Sequence, residues 1–268
     1  MLPKPKKSLG QNFLTDGNIQ RKIIDSLDLR DKDIVLEIGS GGGCLTKLIA
    51  KKVLLVYAVE LDSRLCALME DDFKQIKNIK IIHADFLKLR LETFLKTGKV
   101  KVVGNIPYYI SSPIIQRLLE FKRKIDSAYL TVQKEFALRI VSPPGPKTYG
   151  SLSVFAQYHT QPEILFYISR NCFNPSPRVD SAFIRLIPKH KQILNKQEEL
   201  LFFKIVRGAF MKRRKTLKNS LQGIIPQAAL GSYFSQRPET LSIRDFVILT
   251  KKAKKRSFLD FVARKASD

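Results

Sequence analysis

Four consecutive residues, Asn105-Ile106-Pro107-Tyr108, bring three chemical tools to one place. Asn105 offers an amide oxygen, Pro107 a backbone carbonyl on a ring-stiffened segment, and Tyr108 a flat aromatic face. Two acceptors beside a stacking surface suit a planar substrate that carries an exocyclic amine. On their own the four residues are equally compatible with an ordinary turn, so their meaning rests on their surroundings. Val100 to Val103 reads as a short buried strand that Gly104 ends. The four residues then fall in a loop at the strand's carboxyl end, where ligands sit in open α/β sheets.

The elements upstream repeat that logic. Ile34 to Ile38 reads as a strand, Gly39-Ser-Gly-Gly-Gly43 as a turn, and Cys44 to Lys51 as a helical run. A glycine turn between strand and helix lets the backbone approach a ligand closely and leaves helix-end N–H groups exposed. The spacing Gly39-x-Gly41-x-Gly43 is not the dinucleotide fingerprint, since Cys44 stands in the third glycine's place, and this disfavours a pyrophosphate. A second strand, Leu55 to Val59, ends at Glu60, nineteen residues past Gly41, where an acid is placed for a ribose diol. A third, Ile79 to Ile82, leads to Asp85-Phe86, suited to an adenine edge and face. The glycine turn alone is generic; the ordered set is specific.

Strands recurring near 34, 55, 79, 100 and 127, with helices between, predict an α/β fold built on a mostly parallel, doubly wound sheet. Glu163 to Ile168 and Ser181 to Ile187 read as a closing pair of strands, one of them antiparallel. The ordered set of motifs resembles the Rossmann-like class I methyltransferases that use S-adenosyl-L-methionine, and the Asn-x-Pro-Tyr turn narrows it to those that methylate exocyclic amines of bases. Four further stretches extend the likeness over nearly the whole chain: Lys7 to Leu14, Gln133-Lys-Glu135, Phe173-Asn-Pro-Ser-Pro-Arg-Val-Asp-Ser-Ala182 and Arg213-Arg-Lys-Thr-Leu-Lys-Asn-Ser-Leu221. Together they resemble the KsgA-type rRNA adenine dimethyltransferases.

That resemblance implies roles for particular residues. Gln11, Asn12 and Leu14 would form an amino-terminal flap over the methionine part of the cofactor, with backbone contacts from Gly39 and Gly41. Glu60 would bind the ribose, Leu61 would pack on the adenine, and Asp85 and Phe86 would contact the adenine. Asn105 would touch both the cofactor's amino group and the target amine. With Asn105 and Pro107 holding the amine, Tyr108 would stack on the base and Phe173 on its opposite face. Without its flanking Asn-Pro-Ser-Pro, Phe173 reads as a core residue. Two positions depart from the family pattern: Ser40, where many relatives have proline, and Tyr109, where asparagine is common.

At 268 residues, one large domain and one small one are expected, with Pro188 marking the boundary. Residues 1–188 would form the cofactor-binding catalytic domain and residues 189–268 a small, basic, all-helical domain that binds rRNA. Helical periodicity spans 197–210, 215–222 and 242–253, interrupted by Pro226 and Pro238. The chain carries 48 Lys and Arg against 24 Asp and Glu, a net of +24, which implies a polyanionic partner or an anionic surface. From Lys189 onward 19 basic residues face 6 acidic ones, a net of +13. Lys212-Arg-Arg-Lys215, with Lys218 close behind, reads as a phosphate-binding cluster, whereas Lys251 to Arg256 reads equally well as a solvated helix face.

Other classes are disfavoured. The longest apolar stretches are strand-length, and residues 1–10 are basic without an apolar signal core, so no membrane is expected. Three cysteines, an odd number widely spaced, imply reduced thiols in a cytoplasm. His83, His159 and His190 form no ligand cluster with them, so no metal is expected, and the signature of zinc base deaminases is absent. Pro143-Pro-Gly-Pro146 is a rigid loop, either a connector or a flap on the substrate side. The resemblance implies dimethylation of the N6 amines of two adjacent adenosines in the 3′-terminal hairpin loop of small-subunit (16S) rRNA, coupled to subunit maturation. The partner would be the small ribosomal subunit, and the protein a monomer without an obligate protein partner. The alternatives are a macrolide-resistance type that modifies a large-subunit (23S) adenosine, and a ribosome-assembly or RNA-binding factor with secondary methylation.

Overall fold

The computed structural model describes residues 2–93, 98–191 and 193–265. Among the described residues nine strands run in chain order: β1 Phe13–Leu14, β2 Ile34–Ile38, β3 Leu55–Glu60, β4 Ile79–His83, β5 Val100–Asn105, β6 Ile125–Gln133, β7 Thr160–Ile168, β8 Phe173–Asn174 and β9 Ser181–Pro188. The α-helices are α1 Gly17–Ser26, α2 Cys44–Ala50, α3 Ser63–Asp72, α4 Ser111–Glu120, α5 Lys134–Val141, α6 Ser151–His159, α7 Lys196–Met211, α8 Leu217–Ser220 and α9 Ile243–Lys265. The chain forms two compact units. One runs through residue 137 and resumes at Gln161–His190; the other comprises Leu138–Thr160 and the residues from Lys191 onward.

In the first unit seven strands form one sheet in the order β4-β3-β2-β5-β6-β9-β7. The five strands from β4 to β6 are mutually parallel, and β9 runs antiparallel to β6. Parallel strands are covered on both faces, so they read as continuous apolar runs. Val35, Leu36, Val56, Ala58, Val102 and Val103 are accordingly buried. The chain winds outward from β2 to β3 and β4, then crosses back to place β5 on the other side of β2. This puts a topological switch point between β2 and β5, the place where open α/β sheets bind ligands.

Two glycines have needs that the fold exposes. Gly104 does not end the fifth strand, as the sequence suggests; β5 continues through it to Asn105, which pairs with Thr131 of β6. A Cβ at Gly104 would lie 3.0 Å from the Ile38 carbonyl oxygen, so its bare backbone serves close strand approach. Gly43, which caps α2, has a φ of +76°, and a Cβ there would lie 2.5 Å from the buried Phe73 ring. Asp16 is the cap of α1, its carboxylate accepting the Asn18 and Ile19 N–H groups at 2.8 and 3.0 Å.

The sequence places the boundary at Pro188, but the second unit also takes in Leu138–Thr160. The reason is apolar packing: Tyr149, Val154 and Tyr158 share one buried cluster with Phe202, Ile205 and Phe246. The Tyr149 hydroxyl donates to the Leu241 carbonyl at 2.8 Å, which satisfies its polar end in the core. Within this unit Gly145, in the Pro143–Pro146 loop, donates its N–H to the Glu239 carbonyl at 2.8 Å. Among the described residues no helix is long and apolar enough to cross a membrane.

Gly43→Ala should destabilise the protein by roughly 2–5 kcal/mol, combining left-handed backbone strain with overpacking against Phe73. Urea unfolding measures it, and a loss below about 0.5 kcal/mol would show that the turn relaxes without strain.

Candidate active site at the sheet's switch point

Ile38 pairs with Gly104, so Gly39 after β2 lies beside Asn105 at the end of β5. A cleft opens there, walled by the ends of β2 to β5 and covered by residues 9–13. The glycine turn carries left-handed backbone at Gly39, Gly41 and Gly43, with φ of 68°, 58° and 76°. The Glu60 carboxylate shapes it: one oxygen accepts the Gly41 N–H at 2.8 Å, the other the Leu61 and Asp62 N–H groups, both at 2.9 Å. A carboxylate has about four lone-pair sites. Three are taken by backbone, so about one remains for a ligand hydroxyl.

Of the adenine-side residues, Leu61 is 47% exposed and Phe86 is buried, and both line the cleft with Asp85. One Asp85 oxygen accepts the Leu87 N–H at 3.0 Å. A second cavity, of about 360 Å³, lies beneath the glycine turn and shares Gly39, Gly41 and Asn105 with the cleft. It is lined by Leu14, Glu37, Ser40 and Cys44. Glu37 is fully enclosed and accepts the Thr46 hydroxyl at 2.6 Å; burial pushes its carboxyl up to about 8. The Ser40 hydroxyl is buried and unpartnered within the protein. Cys44 is exposed, yet desolvation by its dense surroundings and then the nearby Glu37 push its thiol up to about 11.

The amino-terminal segment is latched rather than loose. Asp62, its carboxylate out of solvent, accepts Arg64 at 2.6 Å and both Gln11 Nε2 and Lys6 Nζ at 3.2 Å. Arg64 above all, with Gln11 and Lys6, holds this carboxyl well below the usual range. The Gln11 side chain, expected over the cofactor, is thus engaged at both ends, since its oxygen accepts the Lys6 N–H at 2.7 Å. Asn12 contributes its backbone carbonyl, which accepts Asn105 Nδ2 at 2.9 Å. With its amino group so used, the Asn105 amide leaves its oxygen as the acceptor.

Beyond Asn105, Pro107 closes the first turn of a short 3-10 segment. Its carbonyl accepts the Ile110 N–H at 3.2 Å and, at 3.5 Å, the Ser111 hydroxyl, a long contact that a substrate amine can displace. Tyr108 is half-buried in the cleft wall, and its hydroxyl meets Ser181 Oγ at 2.7 Å. Tyr109 is 62% exposed on the rim, packed on Gly10, where a Cβ would come within 3.0 Å of its ring.

Phe173 stands elsewhere than the sequence implies. It is 4% exposed, packed in the core with Leu14 and Phe183, and not part of the cleft wall. The cause is a pairing the sequence did not reveal: β8 joins β1 with Leu14 directly opposite Phe173, so both side chains point to the same buried face. Leu14 likewise meets the second cavity, not the cleft.

The basic cluster lies in the second unit, just past α7. Lys212, Arg214, Lys215 and Lys218 are exposed, and Arg213 is half-buried, donating to the Pro146 carbonyl at 3.3 Å. Lys218 sits 4.8 Å over the Phe234 ring. Among the described residues no group of His, Cys, Asp and Glu could hold a metal ion.

Sequence reasoning missed Asp62, Glu37 and Ser181. Glu37 lies within a quoted strand and Asp62 beside Glu60, but the Thr46 partner of one and the Lys6 and Gln11 partners of the other come together only in the fold. Ser181 falls inside the Phe173–Ala182 stretch, but nothing local marks its hydroxyl as a partner of Tyr108, 73 residues away.

Glu37 gives a pH prediction. Its folded pKa of about 8 stands above the ordinary 4.5, so the folded protein keeps a proton that the unfolded chain loses. Stability from this group is present below about pH 4.5 and is lost as pH rises through 8, at no more than about 1.4 kcal/mol per unit. Glu37→Gln should flatten the stability profile between pH 5 and 8, read by urea unfolding; an unchanged slope refutes it.

Comparison with known proteins fits this geometry. The profile of the family described as "Ribosomal RNA adenine dimethylase" matches residues 3–261. A "Ribosomal RNA small subunit methyltransferase A" from Levilactobacillus brevis is 41% identical over 262 residues, covering 91% of this chain and 88% of that protein. One of the same name from Clostridium botulinum is 40% identical over 252 residues, covering 91% and 92%. Among solved structures, a dimethyladenosine transferase from Plasmodium falciparum matches with TM-score 0.80 and 26% identity, over 91% of this chain and 98% of that one. The 23S rRNA methyltransferase ErmE matches with TM-score 0.70 and 27% identity, over 91% and 100%. A profile match over nearly the whole chain, with relatives at about 40% identity, places this protein in the ribosomal RNA adenine dimethylase family.

Proposed function

We propose that this enzyme transfers methyl groups from S-adenosyl-L-methionine to the N6 amines of two adjacent adenosines in the 3′-terminal hairpin loop of small-subunit rRNA, as a monomer in the cytoplasm, without a metal or an obligate protein partner. The observation that carries this is the Asn105 amide. It is fixed at the switch point by the Asn12 carbonyl, with its oxygen free beside the Tyr108 face. The 40% relatives named for the small subunit favour that target over the large-subunit one, whose structural neighbour is 27% identical.

The residues present fit the cofactor. Glu60 has about one lone pair left for a ribose hydroxyl, and Asp85 and Phe86 offer an acceptor and an apolar wall for adenine. The orphaned Ser40 hydroxyl and the enclosed Glu37 suit the polar amino-acid end. Bound S-adenosylmethionine supplies a methyl group on a sulfonium, an excellent leaving group. The protein's own task is therefore positioning, which can supply roughly 7–11 kcal/mol in favourable cases. The adenine N6 lone pair is delocalised into the ring, so the amine is a poor nucleophile. Acceptance of its hydrogens by the Asn105 oxygen and by the Pro107 carbonyl, in place of that carbonyl's long Ser111 contact, draws the nitrogen toward a pyramidal geometry. Tyr108 stacks on the base, a contact worth on the order of 1–3 kcal/mol. The product ammonium is acidic enough to lose its proton to water. Lys212, Arg213, Arg214, Lys215 and Lys218 hold RNA phosphates, with Arg213 also tied to Pro146.

The test is transfer of labelled methyl to undermethylated small and large subunits, followed by mapping. Label on two adjacent adenines of the small-subunit hairpin is expected; label in the large subunit instead would move the reading to 23S rRNA, and tight binding without label to an assembly factor. Asn105→Ala should lower turnover at least about a hundredfold, the scale of losing one positioned polar contact at a reacting group.

The same assay tests Ser181. Ser181→Ala and Tyr108→Phe should each lower kcat/KM about three- to tenfold, and the double variant no further than the larger single loss. Additive losses would mean that the hydroxyl contact does not position Tyr108.

A further inference from the structure

Opposite the cleft, the sheet ends in a concentration of positive charge that the catalytic site does not use. Strands β5 and β6 begin at this edge and the antiparallel β9 ends there, as the pairing of Ala128 with Leu186 requires. Three segments distant in sequence converge on it: Lys99 before β5, Lys122, Arg123 and Lys124 before β6, and Lys189 and His190 after β9. Lys99, Arg123, Lys124, Lys189 and His190 are exposed. Their convergence is direct at one point, where Lys99 Nζ donates to His190 Nε2 at 3.1 Å.

The neighbouring part of the same edge is different. Toward β2 and β3, Lys52 meets Asp25 at 3.5 Å, Arg30 meets Asp28 at 3.5 Å, and Lys101 meets Asp33 at 2.9 Å, so charge is balanced locally. Among the described residues no carboxylate forms an ion pair with Lys99, Arg123 or Lys124, and the nearby Asp126 accepts the Ser127 hydroxyl at 3.2 Å. A run of lysines on one helix is commonly a solvated face. Here like charges from three chain segments are held together at strand ends, across a width of about 10 Å for three strands, against their mutual repulsion.

We propose that this edge is a second RNA-docking surface, which binds the phosphate backbone of a ribosomal RNA segment other than the one carrying the target base. Charge complementarity selects the polyanion, and the family's ribosomal RNA substrate supplies it. Distance separates the segments: six residues of β5 place the edge about 20 Å from the cleft, at the far end of the strands. A phosphate beside the flipped base cannot reach it. The inference rests on the proposed function and deepens it, since the preferred substrate becomes a folded rRNA or subunit and not an isolated hairpin.

The test uses the full chain carrying Lys99→Gln, Arg123→Gln and Lys124→Gln, all at exposed positions outside the cleft. Affinity is measured against salt for undermethylated small subunits and for a hairpin oligonucleotide holding only the target loop. For the subunit, a loss of at least about tenfold is expected, with the log–log salt slope flattened by roughly 0.7–0.9 for each phosphate contact removed. Hairpin affinity should stay within about twofold of wild type. An unchanged subunit slope overturns the proposal, and so does an equal loss on the hairpin, which would mark a diffuse charge effect. Methyl transfer by the wild type is followed in parallel. Its failure would count against the catalytic reading, while the binding slopes still decide the docking surface.

Discussion

Three backbone N–H groups converge on the Glu60 carboxylate, and the geometry of the cleft depends on that convergence. One bond sets the left-handed glycine turn at Gly41; the other two hold the chain as it leaves β3. Asp62, whose N–H is one of the three, turns its own carboxylate to Lys6, Gln11 and Arg64. The segment so anchored brings the Asn12 carbonyl to Asn105. A continuous set of polar contacts therefore joins the corner suited to the cofactor with the amide suited to the substrate. Hydrogen bonds to a carboxylate are stronger than neutral ones, and removal of Glu60 would orphan three backbone N–H groups together.

The sheet supplies the stiffness that these contacts need. Asn105 ends a strand paired on both sides from Lys101 to Gly104, and it pairs itself with Thr131 of β6, so its Cα is fixed by backbone bonds before any side chain is considered. The β1–β8 pair does the same for the amino-terminal segment, whose residues would otherwise be a long loop. Sites carried by regular elements hold their geometry more closely than sites carried by loops. Here a strand end, a turn locked by a carboxylate and a two-residue ribbon share the task.

Much of this was legible in the sequence because it is written in local patterns. Five parallel strands, the glycine turn, Glu60, Asp85 and the Asn-Ile-Pro-Tyr stretch could be placed from apolar runs and their punctuation. What could not be read depends on contacts between distant segments. Gly104 looks like a strand breaker, yet it is a strand residue whose missing side chain admits the Ile38 carbonyl. Phe173 sits in a motif that suggests a stacking platform, but its pairing with Leu14 turns it inward. Gln11 was read as a ligand contact, and its amide is occupied by Asp62 and Lys6. The boundary at Pro188 follows from proline and composition, whereas helix α6 packs with α7 and α9, a choice made by Tyr158 and Phe202 across some forty residues.

The interrupted second unit has a consequence for how the chain is born. Its core needs Tyr149, Val154 and Tyr158 from one segment and Phe202 and Phe246 from another, with β7, β8 and β9 of the first unit synthesised between them. At roughly 5–20 residues per second, the early helix waits on the order of ten seconds for its final partners. During that interval its apolar face lacks its partners from α7 and α9, while the sheet of the first unit can already finish. The large unit thus has the means to fold first, and the small one closes only when the last helix arrives. Synthesis order, and not only packing, separates the two.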